Sequence, residues 1–170
     1  MEVIERIKAI GMDVDGVLTD GTFWWGTNNE EIKRFSFADV TGISLALQAD
    51  LKLALISGES SPAGIALVRR YADKLKIIDI YPDCHDKAVA FRDFTSKHGI
   101  DLCDACFIGD DIIDIPAMDL AGLAVAPPNA QADVLAKAAL VTKLSGGYGA
   151  VREVIDCILN AQATRRQRHG

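Results

Sequence analysis

Short, continuous apolar runs alternate along the chain with longer segments in which apolar residues recur every three or four positions. Ile7-Lys8-Ala9-Ile10-Gly11-Met12-Asp13 predicts a strand that ends on an acid. Leu53-Ala54-Leu55-Ile56-Ser57-Gly58 predicts a second, ending on a hydroxyl and a glycine, and Ala105-Cys106-Phe107-Ile108-Gly109-Asp110 a third, again ending on an acid. Weaker strand signals cover Lys76–Tyr81, Leu123–Ala126 and Ala139–Val141. The strong runs lack polar alternation, the pattern of strands covered on both faces. Helical periodicity fills the intervals at Gly42–Ala49, Pro62–Leu75, Asp86–His98, Asp114–Ala121, Asn129–Ala138 and Gly149–Gln162. Pro62 and Pro116 suit early helical positions, and Gly99 and Gly122 suit helix ends. Strands alternating with helices predict an α/β fold with a doubly wound, mostly parallel, Rossmann-like sheet. No repeat or linker interrupts it, so one domain is expected over residues 1–162, with a basic tail at 163–170.

One stretch breaks this rhythm. Thr22-Phe23-Trp24-Trp25 and Glu31-Ile32-Lys33-Arg34-Phe35-Ser36 flank Gly26-Thr27-Asn28-Asn29-Glu30. They predict a small β-hairpin with a turn of about five residues, either an edge of the sheet or a flap beside the first acidic strand end.

Composition narrows the classes of function. The chain has 170 residues, about half of them apolar, and a net charge of −6. That balance argues against a general nucleic-acid binder, which needs clustered cations to neutralise phosphates. No apolar run approaches the ~20 residues that span a bilayer. Met1–Arg6 has no leader-like apolar core, so a cytoplasmic protein without a membrane partner is expected. The one basic run, Arg165-Arg166-Gln167-Arg168-His169, is either a solvated end or an arm that reaches an anionic ligand, such as one in a neighbouring subunit. Cys103 and Cys106 form a CxxC without a second ligand pair for zinc, so these and Cys84 and Cys157 are read as reduced thiols.

In an open α/β sheet, ligands bind at the carboxyl ends of the strands. The three strong strands deliver Asp13 and Asp15, then Ser57 and Gly58, then Asp110 and Asp111, with Asp114 one turn later. Lys87 enters at a helix start. Singly, each has an ordinary explanation: Asp110 or Asp111 as a helix cap, Ser57 as a turn residue, Lys87 as a solvated lysine. Together, five acids at two strand ends repel one another unless a cation lies among them. Mg²⁺ suits such a site, because it takes oxygen ligands and keeps waters that a phosphate can replace.

The order Asp13-Val14-Asp15-Gly16-Val17-Leu18-Thr19-Asp20-Gly21, a strand ending Ser57-Gly58, then Lys87, then Gly109-Asp110-Asp111-Ile112-Ile113-Asp114 resembles the haloacid dehalogenase superfamily of phosphohydrolases. The segments Phe107–Met118 and Gly146–Glu153 resemble its small capless branch, which holds phosphatases of 3-deoxy-D-manno-octulosonate 8-phosphate and of related nine-carbon keto-sugar acids. The resemblance implies that Asp13 is a nucleophile forming an aspartyl-phosphate and that Asp15 is the general acid and base. It also implies Mg²⁺ held by the Asp13 side chain, the Asp15 carbonyl and Asp110, with Asp111 and Asp114 orienting waters around the ion. Ser57 and Gly58 would bind phosphate, and Lys87 would neutralise it.

Only 41 residues separate Asp15 from Ser57, and 29 separate Ser57 from Lys87, which leaves no room for a cap domain. The resemblance therefore implies a homotetramer in which neighbours close each other's sites, with Phe23, Trp24 and Trp25 as candidate contacts. Glu59 stands where octulosonate-phosphate enzymes usually carry arginine, which moves weight towards a nine-carbon acid, and Val40 stands where a glycine is usual. Two readings from other classes remain: a receiver domain, whose paired acids would come on the first strand, and a non-catalytic interaction domain.

Overall fold

The computed structural model describes residues 3–28 and 30–169. Six parallel strands form one sheet: β1 (Ala9–Met12), β4 (Lys52–Ile56), β5 (Asp79–Tyr81), β6 (Ala105–Ile108), β7 (Leu123–Ala126) and β8 (Leu140–Val141). Their spatial order is β5-β4-β1-β6-β7-β8. The chain thus runs outward from β1 to one edge, returns, and runs outward to the other. The order reverses between β1 and β6, and that is where an open parallel sheet binds ligands.

The apolar runs are continuous because both faces of the sheet are covered. Ile10, Met12, Leu53, Leu55, Cys106 and Ile108 pack against α1 (Phe37–Gln48), α2 (Pro62–Leu75) and α6 (Ala150–His169). Their neighbours Ala9, Ala54, Ile56, Ala105 and Phe107 face α3 (Lys87–Lys97), α4 (Ile115–Met118) and α5 (Ala132–Lys137). The doubly wound fold is as expected, and Leu123–Ala126 and Pro62–Leu75 fall where the sequence puts them.

Several boundaries differ, each for a local reason. Helix α1 starts five residues before the expected Gly42, because the Ser36 side chain accepts the Ala38 N–H at 3.1 Å and caps it. Val40 therefore lies within a helix turn. Lys76 takes a left-handed conformation that ends α2, so the expected Lys76–Tyr81 strand is cut to β5. The expected Asp114–Ala121 helix is a 3₁₀ turn at Ile112–Asp114 followed by the short α4. The expected helix from Asn129 begins at Ala132 instead. Helix α6 runs on through the basic tail to His169. There Gln162 Nε2 donates to the Ile7 carbonyl at 2.7 Å, and Arg168 pairs with Glu5 at 3.3 Å. The tail thus lies at the amino edge of the sheet, opposite the acidic strand ends. A groove of about 540 Å³ there is lined by Arg6, Lys8, Asp104, Arg165 and Arg166, among others.

The hairpin is present but short: β2 (Trp24–Trp25) pairs antiparallel with β3 (Glu31–Ile32). Asn29 of its expected turn lies outside the described residues, as do Met1 and Glu2. Among the described residues no cap domain is inserted. Only the hairpin and α1 lie between β1 and β4, and only α2 between β4 and β5.

Candidate active site

The segment after β1 is held from below by its apolar members. Val14, Val17 and Leu18 are fully buried, which turns Asp13 and Asp15 to the carboxyl edge. The Leu18 and Thr19 amides both donate to the Val14 carbonyl, closing a tight turn. Thr19 Oγ1 accepts the Gly16 and Gly21 amides at 3.2 Å each and lies 3.3 Å from Asp15 Oδ1. At Gly16 φ is +88°, and a Cβ there would lie 1.9 Å from Asp110 Oδ2. Only glycine gives both the backbone conformation and the space that the Asp110 carboxylate occupies.

Strand pairing brings Asp13 and Asp110 together across the reversal point. Met12 pairs with Ile108, and the Asp13 amide donates to the Ile108 carbonyl at 3.0 Å. Lys87, at the start of α3, reaches in from the side. Its Nζ lies 2.9 Å from Asp13 Oδ1 and 2.6 Å from Asp114 Oδ1, with its side chain 1% exposed. The other Asp114 oxygen accepts the Asp110 and Asp111 amides at 3.0 and 3.1 Å. Both oxygens of Asp114 are therefore engaged, one on the lysine and one on the backbone that carries Asp110. Asp111 is exposed and its Oδ1 accepts the Ile112 N–H at 2.6 Å, so it caps the 3₁₀ turn.

The charges are unbalanced. Oxygens of Asp13, Asp110 and Asp114 lie within 4.8 Å of one another, with Lys87 the cation placed among them. Burial, then the charge of Asp114, pushes the Asp13 carboxyl up to about 8, with Lys87 pulling the other way. Burial and Asp114 likewise push Asp110 to about 7. Asp110 Oδ1 is buried without a hydrogen-bond partner. An unpartnered buried carboxylate oxygen facing a second carboxylate fits a hard divalent cation. The depression beside it, about 350 Å³, is lined by Asp15, Asp20, Gly21, Asp110, Asp111, Asn129 and Gln131.

Ser57 ends β4, buried, with its Oγ accepting the Glu59 amide at 3.2 Å. Glu59 is tied on both oxygens: Oε1 accepts the Ser61 amide at 2.8 Å, and Oε2 lies 3.3 Å from Lys33 Nζ. The expected residues thus converge at one edge, where Glu59 and Asp15 also share an ion-pair group centred on Lys33.

Two residues at this edge were not singled out from the sequence. Asn129 Nδ2 donates to the Gly16 carbonyl at 2.9 Å while its Oδ1 accepts the Gly146 amide at 2.7 Å, clamping the Gly146 loop to the acidic loop. The available signal was its place just past the β7 strand end. Lys33 Nζ lies 2.9 Å from Asp15 Oδ2 and 3.2 Å from Glu31, besides Glu59. The signal for Lys33 was the alternation of the segment, in which Glu31, Lys33 and Phe35 face inward while Ile32 and Arg34 are exposed.

Comparison with known proteins agrees with this fold. Residues 27–155 match the haloacid dehalogenase-like hydrolase family. The chain is 40% identical over 162 residues to the 3-deoxy-D-manno-octulosonate 8-phosphate phosphatase of Escherichia coli, covering 95% of this chain and 84% of that protein. A crystal structure of the phosphatase of that name from Yersinia pestis superposes with a TM-score of 0.90 at 36% identity, over 97% of this chain and 87% of that one. The Moraxella catarrhalis phosphatase, solved in complex with magnesium ion, phosphate ion and a KDO molecule, superposes equally, at 0.90 and 36% identity over 98% of this chain and 94% of that one.

Proposed function

The chain belongs to the haloacid dehalogenase-like hydrolase family, and from that premise we propose that it is a Mg²⁺-dependent phosphatase of 3-deoxy-D-manno-octulosonate 8-phosphate. The observation that carries the chemistry is the buried Lys87–Asp13 pair beside the unpartnered oxygen of Asp110. The substrate is supported by 40% identity to a phosphatase of that name along nearly the whole chain.

Asp13 is the nucleophile. One of its oxygens bonds to phosphorus while the sugar–phosphate P–O bond breaks. The sugar oxygen takes that electron pair and a proton from Asp15, because an alkoxide is a poor leaving group. A water oxygen then bonds to phosphorus as the Asp13–phosphorus bond breaks, giving one proton to Asp15, releasing inorganic phosphate and restoring the Asp13 carboxylate. The two displacements replace one difficult step. Lys87 offsets charge on Asp13 and on the incoming phosphoryl group, and Asp114 holds Lys87 and the Asp110 backbone in place. Ser57 Oγ and the backbone of Gly58 serve the phosphoryl oxygens. Asp13, Asp110 and the Asp15 carbonyl would hold Mg²⁺, which supplies positive charge against the phosphoryl oxygens. Asp111, exposed at the rim, would orient waters around the ion.

An open site calls for a cover. Phe23, Trp24, Trp25 and Ile32 are all more than half exposed on the hairpin, an apolar patch of the kind found at interfaces. A homotetramer built through this patch would let neighbours close each other's sites. Because the basic end of α6 lies at the opposite edge of its own subunit, any substrate it touches would be in a neighbouring copy. A fully active monomer by light scattering would overturn this part.

A nine-carbon keto-sugar acid phosphate is the second reading, and Glu59 is the residue that favours it. Its carboxylate is partly offset by Lys33, an ammonium it shares with Asp15 and Glu31. Phosphate release with Mg²⁺ from the eight- and nine-carbon esters decides between them, and Glu59→Arg should move preference towards the eight-carbon ester. Asp13→Asn should abolish turnover on either. Retention of most activity by D13N would remove the nucleophile assignment.

A further inference from the structure

Beside the metal-binding acids lies a second ionic group with a different centre. Lys33 sits on the chain segment that continues β3, and its side chain is only 4% exposed. A lysine normally extends its ammonium into water. Here three carboxylates from three parts of the fold surround it: Asp15 from the loop after β1, Glu31 from β3, and Glu59 from the loop after β4. Its hydrogen bonds go to Asp15 and Glu59, and Glu31 Oε1 adds a buried negative charge 3.2 Å away. The neighbouring residues fix its backbone. Arg34 lies 4.0 Å over the Tyr148 ring and pairs with Asp20 at 3.3 Å, and Phe35 stacks on Tyr71 with ring centroids 3.8 Å apart.

Asp15 itself is held at both oxygens, by Lys33 at 2.9 Å on Oδ2 and by Thr19 at 3.3 Å on Oδ1. Its side chain is 37% exposed and lines the depression beside Asp110. Without the shorter of its two contacts, this exposed carboxyl would be held by the longer Thr19 contact alone. We propose that Lys33 is a positioning residue that fixes the Asp15 carboxyl towards the substrate's bridging oxygen and ties its aim to the β2–β3 hairpin and to Glu59. This rests on Asp15 being the proton donor in the reaction proposed above.

The competing role is purely structural: Lys33 pins the hairpin, and its loss harms every substrate alike. Leaving groups separate the two. A sugar alkoxide must be protonated as it departs, whereas p-nitrophenolate departs without help. Lys33→Met, Lys33→Arg and Asp15→Asn should therefore be assayed with saturating Mg²⁺ on p-nitrophenyl phosphate and on the eight-carbon sugar-acid phosphate. In single turnovers, where the first displacement is read apart from the aspartyl-phosphate hydrolysis that both esters share, a misaimed donor should slow release of the sugar alcohol by K33M about 100-fold, with p-nitrophenolate release slowed several-fold at most. D15N should show the same selectivity more strongly, and K33R should recover most of the loss. Equal losses on both esters, or none, would overturn the positioning role. If K33M does not fold, Lys33→Gln is read in the same way. Selectivity in D15N without selectivity in K33M would defeat this inference alone. An active D13N would instead defeat the reaction on which it rests.

Discussion

Replacing Lys87 with methionine removes a charge and little volume from the most enclosed part of the site. The lysine touches Asp13 at 2.9 Å and Asp114 at 2.6 Å, whose side chains are 8% and 0% exposed. Removing one partner of a buried ion pair costs about 3–5 kcal/mol, because the remaining charge stays desolvated. In K87M two carboxylates are left, but they can take up protons, so the cost depends on pH. Lys87 pulls the Asp13 and Asp110 carboxyls down against burial and Asp114. Without it, both rise further above their unfolded values. A carboxyl raised in this way is stabilised below its unfolded pKa and loses that stability as pH rises through its folded one. The penalty of K87M should therefore be small near pH 5 and grow as pH rises above about 7. At 2–4 °C per kcal/mol for a chain of this size, metal-free melts near pH 8 should show Tm lowered by roughly 6–20 °C. With saturating Mg²⁺, loss of a preorganised cation at the phosphoryl group should lower kcat about 10²–10³-fold. Circular dichroism separates loss of folding from loss of charge. A folded K87M with unchanged Tm near pH 8, or with kcat within about threefold of the parent, would refute this account of the electrostatics.

The remaining expectations follow from the same geometry. Gly16→Ala places a methyl where Asp110 Oδ2 lies and requires φ of +88° from a residue with a Cβ. Strain of about 1–2 kcal/mol and crowding of about 1–3 kcal/mol should lower Tm, and Mg²⁺ affinity should fall about 10–100-fold by titration calorimetry. Undiminished Mg²⁺ binding by G16A would mean that Asp110 is not a ligand. In the parent protein Mg²⁺ competes with protons on Asp13 and Asp110, raised to about 8 and about 7, so its thermal stabilisation should grow from pH 5 to pH 8. At a hundredfold excess over Kd it should reach about 2.7 kcal/mol, or roughly 5–11 °C; a shift independent of pH would contradict the assignment. Far from the site, Asp79 accepts from Lys97 at 2.5 Å and contacts His98 Nε2 at 2.7 Å. Burial alone would raise its pKa, but these two partners hold it below the ordinary carboxylate value. Its contribution is present above the unfolded carboxyl pKa and is lost as pH falls through the folded one. Asp79→Asn should lower Tm at pH 7 by roughly 3–12 °C, a difference that narrows below about pH 4 in acid melts.

The sequence by itself determined the sheet, the hydrolase family and which acids, hydroxyl and glycine stand at the strand ends. Short uninterrupted apolar runs ending on Asp13, Ser57 and Asp110, set between longer helical segments, suit strands covered on both sides, and both faces of the sheet are indeed covered. Such runs end where functional side chains collect, so acids at these ends were legible without coordinates. Boundaries were less so, because caps decide them: the Ser36 hydroxyl starts α1 early, and a left-handed Lys76 shortens β5. Only the tertiary structure decided which acid meets which partner. Asp114 reads as one of several acids near a metal, yet both its oxygens are spent on Lys87 and the Asp110–Asp111 backbone. Glu59 reads as an unopposed charge facing the substrate until Lys33, 26 residues earlier, is found against it. The physical reason is common to both cases. Periodicity encodes which side of an element is buried, whereas a desolvated charge is settled by whatever distant group the fold brings within about 3 Å, and that pairing leaves no local trace.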